Sequence, residues 1–201
     1  MAIKESVQAG NPIIRAKAKP VVFKSPNSKR IPAEISNTVR DLVDSMRHAD
    51  LVGMAAPQIG KGMRIFVSEI KTTKKRKIAK GAEDPLRVFV NPKIIASSAK
   101  LVKGWEGCGS VANGQLFAMV NRPESVTVKA FDEKGISFTL EASGLLARII
   151  QHEIDHLDGI LFTDKADPLT YMSLNEYLKY KKSLAKEAKA KTAKKDKQNK
   201  S

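Results

Sequence analysis

The sequence predicts an α+β fold: short antiparallel or mixed sheets packed around a central helix, with one helix before it and another at the C-terminal end. Two observations predict it. Some stretches carry apolar residues at helical spacing, while others are short β-branched or aromatic runs bounded by turn residues. The two kinds do not alternate regularly, so a parallel βαβ sheet is not expected.

Residues 1–30 place Gly10-Asn11-Pro12, Pro20 and Ser25-Pro26-Asn27-Ser28 between short apolar pieces, which reads as mostly extended chain. Pro32 stands where a first helical turn tolerates proline. After it Ile35, Val39, Leu42, Val43 and Met46 recur at helical spacing, giving an amphipathic helix over 32–47. His48, at its end, reads as a surface or cap residue. The small residues from Leu51 to Gly60 read as a loop at which backbone must approach something closely. A strand is expected over 64–70, followed by a basic segment, 71–84, as a long hairpin tip. Further strands are expected over 86–90, 93–96, 115–120, 125–131 and 136–141, with Glu133-Lys134-Gly135 turning the last pair.

Leu145, Leu146, Ile149, Ile150, Ile154 and Leu157 form a wide apolar stripe, so the helix over 143–157 is the central one, and Gly159 closes it. A final helix is expected to begin near Leu169. Met172, Leu174, Tyr177 and Leu178 give it a partial apolar face that fades past Lys181 into Lys/Ala repeats. The expected organisation is a catalytic domain over 1–170 and a C-terminal helix over 171–201 running into a Lys-rich, partly disordered tail.

The length of 201 residues fits one domain with an appendage. A hydrophobic content of 42% excludes a wholly disordered chain. No apolar run approaches the ~20 residues of a membrane span. The first residues lack the apolar core of a secretory signal and the bias of a transit peptide. Cys108 is the single cysteine, so no intrachain disulfide forms, which suits a reducing cytoplasm. The net charge is +15. Residues 179–201 hold ten lysines against two acids, and 71–80 hold six basic residues and no acid; the rest of the chain is nearly neutral. Such lysine-dense runs suit a polyanion, or simply a solvated tail.

His152-Glu153-Ile154-Asp155-His156 is an H-E-x-x-H pattern. Residues four apart share a helix face, so both imidazoles can reach one metal ion. Glu153 can then reach a water at that metal and move its proton. Catalytic metals usually have three protein ligands and an open position. Phe162 occupies the place of the third metzincin histidine and excludes that class. Glu176, after Asn175, is one candidate third ligand and resembles the Asn-Glu of thermolysin-like peptidases. Cys108 is the other, since a thiolate is a strong ligand; its bland alternative is a buried small hydrophobe.

Three separated segments resemble the signature motifs of peptide deformylases: G-x-G-x-A-A-x-Q, E-G-C-x-S and Q-H-E-x-D-H-L-x-G. They are Gly53-Met54-Ala55-Ala56-Pro57-Gln58, Glu106-Gly107-Cys108-Gly109-Ser110, and Gln151 through Gly159, in the family's order. Gly10-Asn11-Pro12 and Asn121-Arg122-Pro123 also look familial, and the resemblance covers about residues 7 to 165. It implies removal of the N-terminal formyl group from formyl-methionyl nascent peptides. It implies Cys108, His152 and His156 as metal ligands and Glu153 as the acid/base. Gln58 and the N–H of Gly109 would be the donors to the formyl oxygen, an oxyanion-hole arrangement. Val52 and Gly53 would line the substrate as extended backbone. Fe(II) is the metal the family generally uses, with Zn, Ni or Co tolerated. The family's habits also imply a monomer that docks at the ribosome near the exit tunnel through its basic C-terminal tail, and no membrane partner.

Two departures stand out. Leu51 occupies the place of the first motif's leading glycine, and Gly109 stands where many members have leucine. Both imply a reshaped pocket and altered substrate tolerance or rate. A member with weak or no activity, acting as a ribosome-docking module, and a metallopeptidase with Glu176 as third ligand are the alternative functions.

Overall fold

The computed structural model describes residues 3–23, 31–73 and 76–198; the turn expected at Ser25-Pro26-Asn27-Ser28 lies outside them. The elements are α1 (Pro12–Arg15), α2 (Ala33–His48), β1 (Gly53–Ala55), β2 (Ile65–Ile70), β3 (Asp84–Ser97), β4 (Leu101–Gly107), β5 (Leu116–Pro123), β6 (Ser125–Phe131), β7 (Ser137–Ser143), α3 (Gly144–Leu157), β8 (Met172–Ser173) and α4 (Leu174–Gln198). They form an α+β fold with two sheets, ordered β1-β2-β3-β6-β7 and β4-β5-β8. Every pairing within the sheets is antiparallel.

Both faces of the larger sheet are covered. On one, Phe66 of β2 joins Phe89, Ile150, Ile154 and Leu157, so α3 packs there. On the other, Ile65 and Val67 join Leu42 and Met46 of α2. The period-two alternation of β2 is thereby divided between two cores, and its first three residues, Ile65-Phe66-Val67, read as an apolar run. A third cluster holds the smaller sheet against α1, through Ile14, Ala118, Val120, Leu161 and Phe162, and it includes Cys108. The chain leaves α3 through Gly159 at φ +75, where a Cβ would stand 2.3 Å from the Arg15 carbonyl oxygen. Only glycine can end the central helix so close to α1.

The expected helices over 32–47 and 143–157 are present as α2 and α3. The hairpin across the basic segment is present as the β2–β3 pair. Other elements differ from expectation. The expected loop at 51–60 contains β1 and a 3₁₀ turn, Ala56–Ile59. Gly53, Met54 and Ala55 have little strand propensity, and pairing with Ser68, Val67 and Phe66 makes them a strand. The two strands expected over 86–90 and 93–96 are one, β3, whose register with β6 shifts between Val90 and Lys93 and again between Ile94 and Ala96, with Asn91 at φ 52. β4 was not anticipated, because its glycines break the apolar pattern; β5 pairs along its full length. The short helix α1 falls in the stretch read as extended, capped by the Asn11 side chain. The last helix begins at Leu174, not near 169. Pro168–Thr170 forms a 3₁₀ turn capped by Asp167, and Met172–Ser173 pair with β5 before the helix starts. No helix among the described residues is long and apolar enough to cross a membrane.

Candidate metal centre and active site

The central helix delivers His152, Glu153 and His156 to one place. Ile150, Ile154 and Leu157 anchor α3 in the core. The sequence positions between them turn toward β4 and the loop that follows it. Cys108 comes next after β4, and its Sγ lies 3.1 Å from His156 Nε2. The ligand atoms of Cys108, His152 and His156 all lie within 4.8 Å of one another. Burial pushes the Cys108 thiol up, but His156 and His152 outweigh it and draw its pKa well below the ordinary thiol value. A thiolate beside two imidazoles is a donor set suited to a single divalent metal with one position left open. The residues present fit the metal that the motif implies.

His152 has its other face occupied. Its Nδ1 lies 2.9 Å from Glu106 Oε2, which leaves Nε2 for the ligand position. Glu106 in turn accepts from Arg122 through both oxygens, at 2.7 and 2.9 Å, and from Arg148 at 2.7 Å. Arg122 also reaches Asp155 at 2.7 Å, and Lys165 reaches the other Asp155 oxygen at 2.6 Å. Burial alone would raise the Glu106 pKa; the bonds from Arg122 and His152 overcome it and hold the carboxyl well below the usual range. This chain of charges locks the orientation of His152. Arg122, Arg148 and Asp155 had not been singled out as site residues, although Arg122 and Asp155 lie inside quoted motifs. Charged residues at interior positions of a motif were the available signal.

Glu153 is buried, and its Oε2 has no hydrogen-bond partner among the described residues. Burial pushes its pKa up to about 7. A Cβ on Gly53 would stand 2.5 Å from Glu153 Oε1 and 2.9 Å from Ile149, so the bare backbone of β1 is what admits the carboxylate. Gln58, also buried, accepts from the Ala55 N–H through Oε1 at 2.7 Å. That bond settles which end of the amide is which: Nε2 faces Cys108 Sγ, at 3.6 Å. The N-terminal segment braces both loops. Val7 N–H donates to Gln58 O and Ala9 N–H to Ser110 O, each at 2.8 Å, and the Gln8 amide donates to Gly109 O.

A cleft of about 310 Å³ opens over these groups. Val52, Gly53, Gln58, Cys108, Gly109, His152 and Glu153 line it, while His156 sits behind, 1% exposed. Arg76, Trp105, Phe117 and Tyr177 line it too, and the motifs had not pointed to them. Arg76 turns inward from the basic loop, paired with Asp50 at 2.8 Å, and Lys71 of that loop pairs with Glu69. Glu176 is elsewhere: its side chain is 59% exposed and pairs with Lys179. Of the two candidates, Cys108 is the one that stands beside the two histidines.

The two departures from the motif pattern meet in space. A Cβ on Gly109 would lie 3.6 Å from Leu51 Cδ1. Leu51 thus stands beside the room that a side chain at 109 would fill. Leu51 is not in the left-handed backbone conformation that glycine favours; its neighbour Asp50 is, at φ 54.

The sequence profile of the family described as Polypeptide deformylase matches residues 3–171. The chain belongs to the polypeptide deformylase family. Among curated relatives, the peptide deformylase of Heliobacterium modesticaldum is 40% identical over 83% of this chain and 96% of its own. That of Dictyoglomus turgidum is 37% identical over 82% and 93%. Among solved structures, a class I type b peptide deformylase of Acinetobacter baumannii, bound to the ligand K4U, superposes with a TM-score of 0.74 at 30% identity, covering 83% of this chain and all of that one. A peptide deformylase of Legionella pneumophila gives 0.69 at 37% identity, over 84% and 88%. The chain is an enzyme of this family, a metal-dependent hydrolase that removes N-terminal formyl groups.

Proposed function

We propose that Cys108, His152 and His156 hold one divalent metal ion and that Glu153, Gln58 and Gly109 carry the hydrolysis of formyl-methionyl nascent peptides. The reading rests on one observation: three ligand atoms within 4.8 Å of one another at the floor of a cleft lined by a buried carboxylate, one of whose oxygens has no partner among the described residues. When bound, the metal supplies Lewis acidity toward the formyl group and makes water acidic near neutral pH. Glu153 takes a proton from the water that attacks the formyl carbon. The C–N bond then breaks, and Glu153 hands that proton to the leaving nitrogen, yielding formate and a free methionine amine. Gln58 Nε2 and the Gly109 N–H donate to the formyl oxygen as its negative charge grows. Val52, just before the edge strand β1, and Gly53, its first residue, receive the peptide as an added strand.

Fe(II) is the proposed resident metal, with Zn, Ni or Co as substitutes; mixed thiolate and imidazole ligation suits them all. The measurement is metal analysis of protein purified without oxygen, with formate release assayed for each reloaded metal. Cys108→Ala should lose the metal and Glu176→Ala should keep it.

Residues 1–170 serve as the catalytic domain, and 171–201 as a basic attachment that docks a monomer at the ribosome in the cytoplasm. Lysines dense enough to neutralise several phosphates support this, and such binding weakens steeply with salt. Deleting 180–201 should weaken ribosome binding and flatten its salt dependence. An unchanged affinity and slope would remove this part of the reading.

A further inference from the structure

The reaction leaves one wall of the cleft without a task. Trp105 of β4, Phe117 of β5 and Tyr177 of α4 all line it. The Phe117 and Tyr177 rings lie face to face, with centroids 4.3 Å apart and planes 10° from parallel. Trp105 tilts against Tyr177 at 5.4 Å and against Tyr180 at 5.5 Å. Phe117 lies directly over Gly107, where a Cβ would come within 2.5 Å of its ring. Gly107 precedes Cys108, so the wall starts one residue from the cysteine, and the Phe117 stack carries it on to Tyr177. Leu145 of α3, 44% exposed, faces the same cleft.

Backbone pairing brings α4 to this place. Met172 and Ser173 pair with Phe117 and Leu116, and the Leu174 N–H donates to Gln115 O at 2.9 Å. The half-buried residues Leu174, Tyr177 and Tyr180 then face the body, while Leu178 and Leu184 are exposed. Aromatic rings held rigid at the side of an open cleft offer large apolar contact area to a ligand at small entropic cost.

On the deformylase reading above, we propose that Tyr177, with Trp105 and Phe117, is a substrate-contact residue that selects an apolar side chain downstream of the formyl-methionine. An extended peptide advances about 3.3 Å per residue. Tyr177 stands a full ring stack beyond Phe117, so a formyl group at the cysteine ligand sets the second or third residue of the peptide against it. The C-terminal helix is then a wall of the active cleft as well as a basic attachment.

Trp105 is the only tryptophan, so its emission reports on this wall alone. Metal-loaded protein carrying Glu153→Gln, which binds without turnover, is titrated with formyl-Met-Ser-Ser, formyl-Met-Phe-Ser and formyl-Met-Ser-Phe. At least one phenylalanine peptide should bind about fivefold tighter than the serine peptide. Adding Tyr177→Ala should bring that ratio to within about twofold and leave binding of the serine peptide nearly unchanged, while Tyr177→Phe keeps the ratio. With Glu153 intact, the same ratios should appear in KM and not in kcat. Tyr177→Leu retains apolar packing for α4, and peptide-free Trp105 emission shows whether the helix stays docked. A preference that survives Tyr177→Ala, equal weakening toward all three peptides, or no preference in the parent would each overturn the proposal. Failure of the parent to release formate with any of the four metals would instead overturn the functional reading, and the titration would still decide the role of the wall.

Discussion

His152, Glu153 and His156 arrive on five consecutive residues of one helix, whereas Cys108 and Gln58 meet across 50 residues of chain. The helical half is held by the apolar stripe of α3 in the main core. The other half hangs from the ends of β1 and β4 and is braced by the N-terminal segment, by Gly-for-side-chain close contacts and by Arg122. A helix fixes the relative placement of its residues through its own hydrogen bonds. Loops need outside partners to reach the same precision. The comparison teaches that errors in the first half act on chemistry, while errors in the second act on geometry and on metal retention.

The largest expected effect breaks the helical half. Glu153→Gln should lower kcat by about 10⁴-fold with metal content unchanged, since it removes only the proton carrier. Retained turnover would exclude Glu153 from its role. Next comes the brace shared by both halves. Arg122→Met leaves Glu106 and Asp155 buried with fewer partners, and urea unfolding should show a loss of about 3 kcal/mol. Metal affinity should fall about tenfold as His152 loses its orientation. A loss of stability without a change in metal affinity would separate the brace from the site.

Gly53→Ala tests the contact between the halves. The new Cβ would displace Glu153 Oε1 and press on Ile149, so kcat should drop about 100-fold and the stability should fall by about 1–3 kcal/mol. A smaller effect belongs to the Leu51 and Gly109 pair. Gly109→Leu alone should press on Ser6 and crowd Leu51, lowering kcat/KM, and adding Leu51→Gly should restore it in part, with a coupling of about 1 kcal/mol. Additive effects would show that the two departures are independent.

The smallest effect lies outside both halves. Glu69 accepts from Arg47 at 2.9 and 2.8 Å, and this bonding, with Lys71, lowers its pKa from 4.5 to about 2. A depressed carboxylate pKa adds stability that is fully present above pH 4.5 and lost as pH falls toward 2. Arg47 is 44% exposed, so solvent screens the pair and the contribution is about 1 kcal/mol or less. Glu69→Gln should remove that part of the acid-side slope in unfolding measured on metal-free protein, with activity at pH 7 unchanged.

How much of this was legible follows from the range of the interactions involved. The apolar stripe of α3 and the H-E-x-x-H spacing express 3.6-residue periodicity, a local property, so both are legible in the sequence. The Glu-Gly-Cys and Gly-Met-Ala-Ala-Pro-Gln segments were legible as motifs, although nothing local says that Cys108 approaches His156. Which of Cys108 and Glu176 comes to stand beside the two histidines was decided by tertiary packing.

The sequence by itself thus determined the central helix, the H-E-x-x-H spacing it carries, and the segregation of positive charge at 71–80 and 179–201. Tertiary structure alone decided that Gly53–Ala55 is a strand, that Leu101–Gly107 pairs with β5, and that Arg122 joins Glu106 to Asp155. It alone decided that Tyr177 belongs to the cleft. Helical periodicity is written into neighbouring residues, whereas a strand partner, a buried ion pair or a ring stack is chosen among residues far apart in the chain.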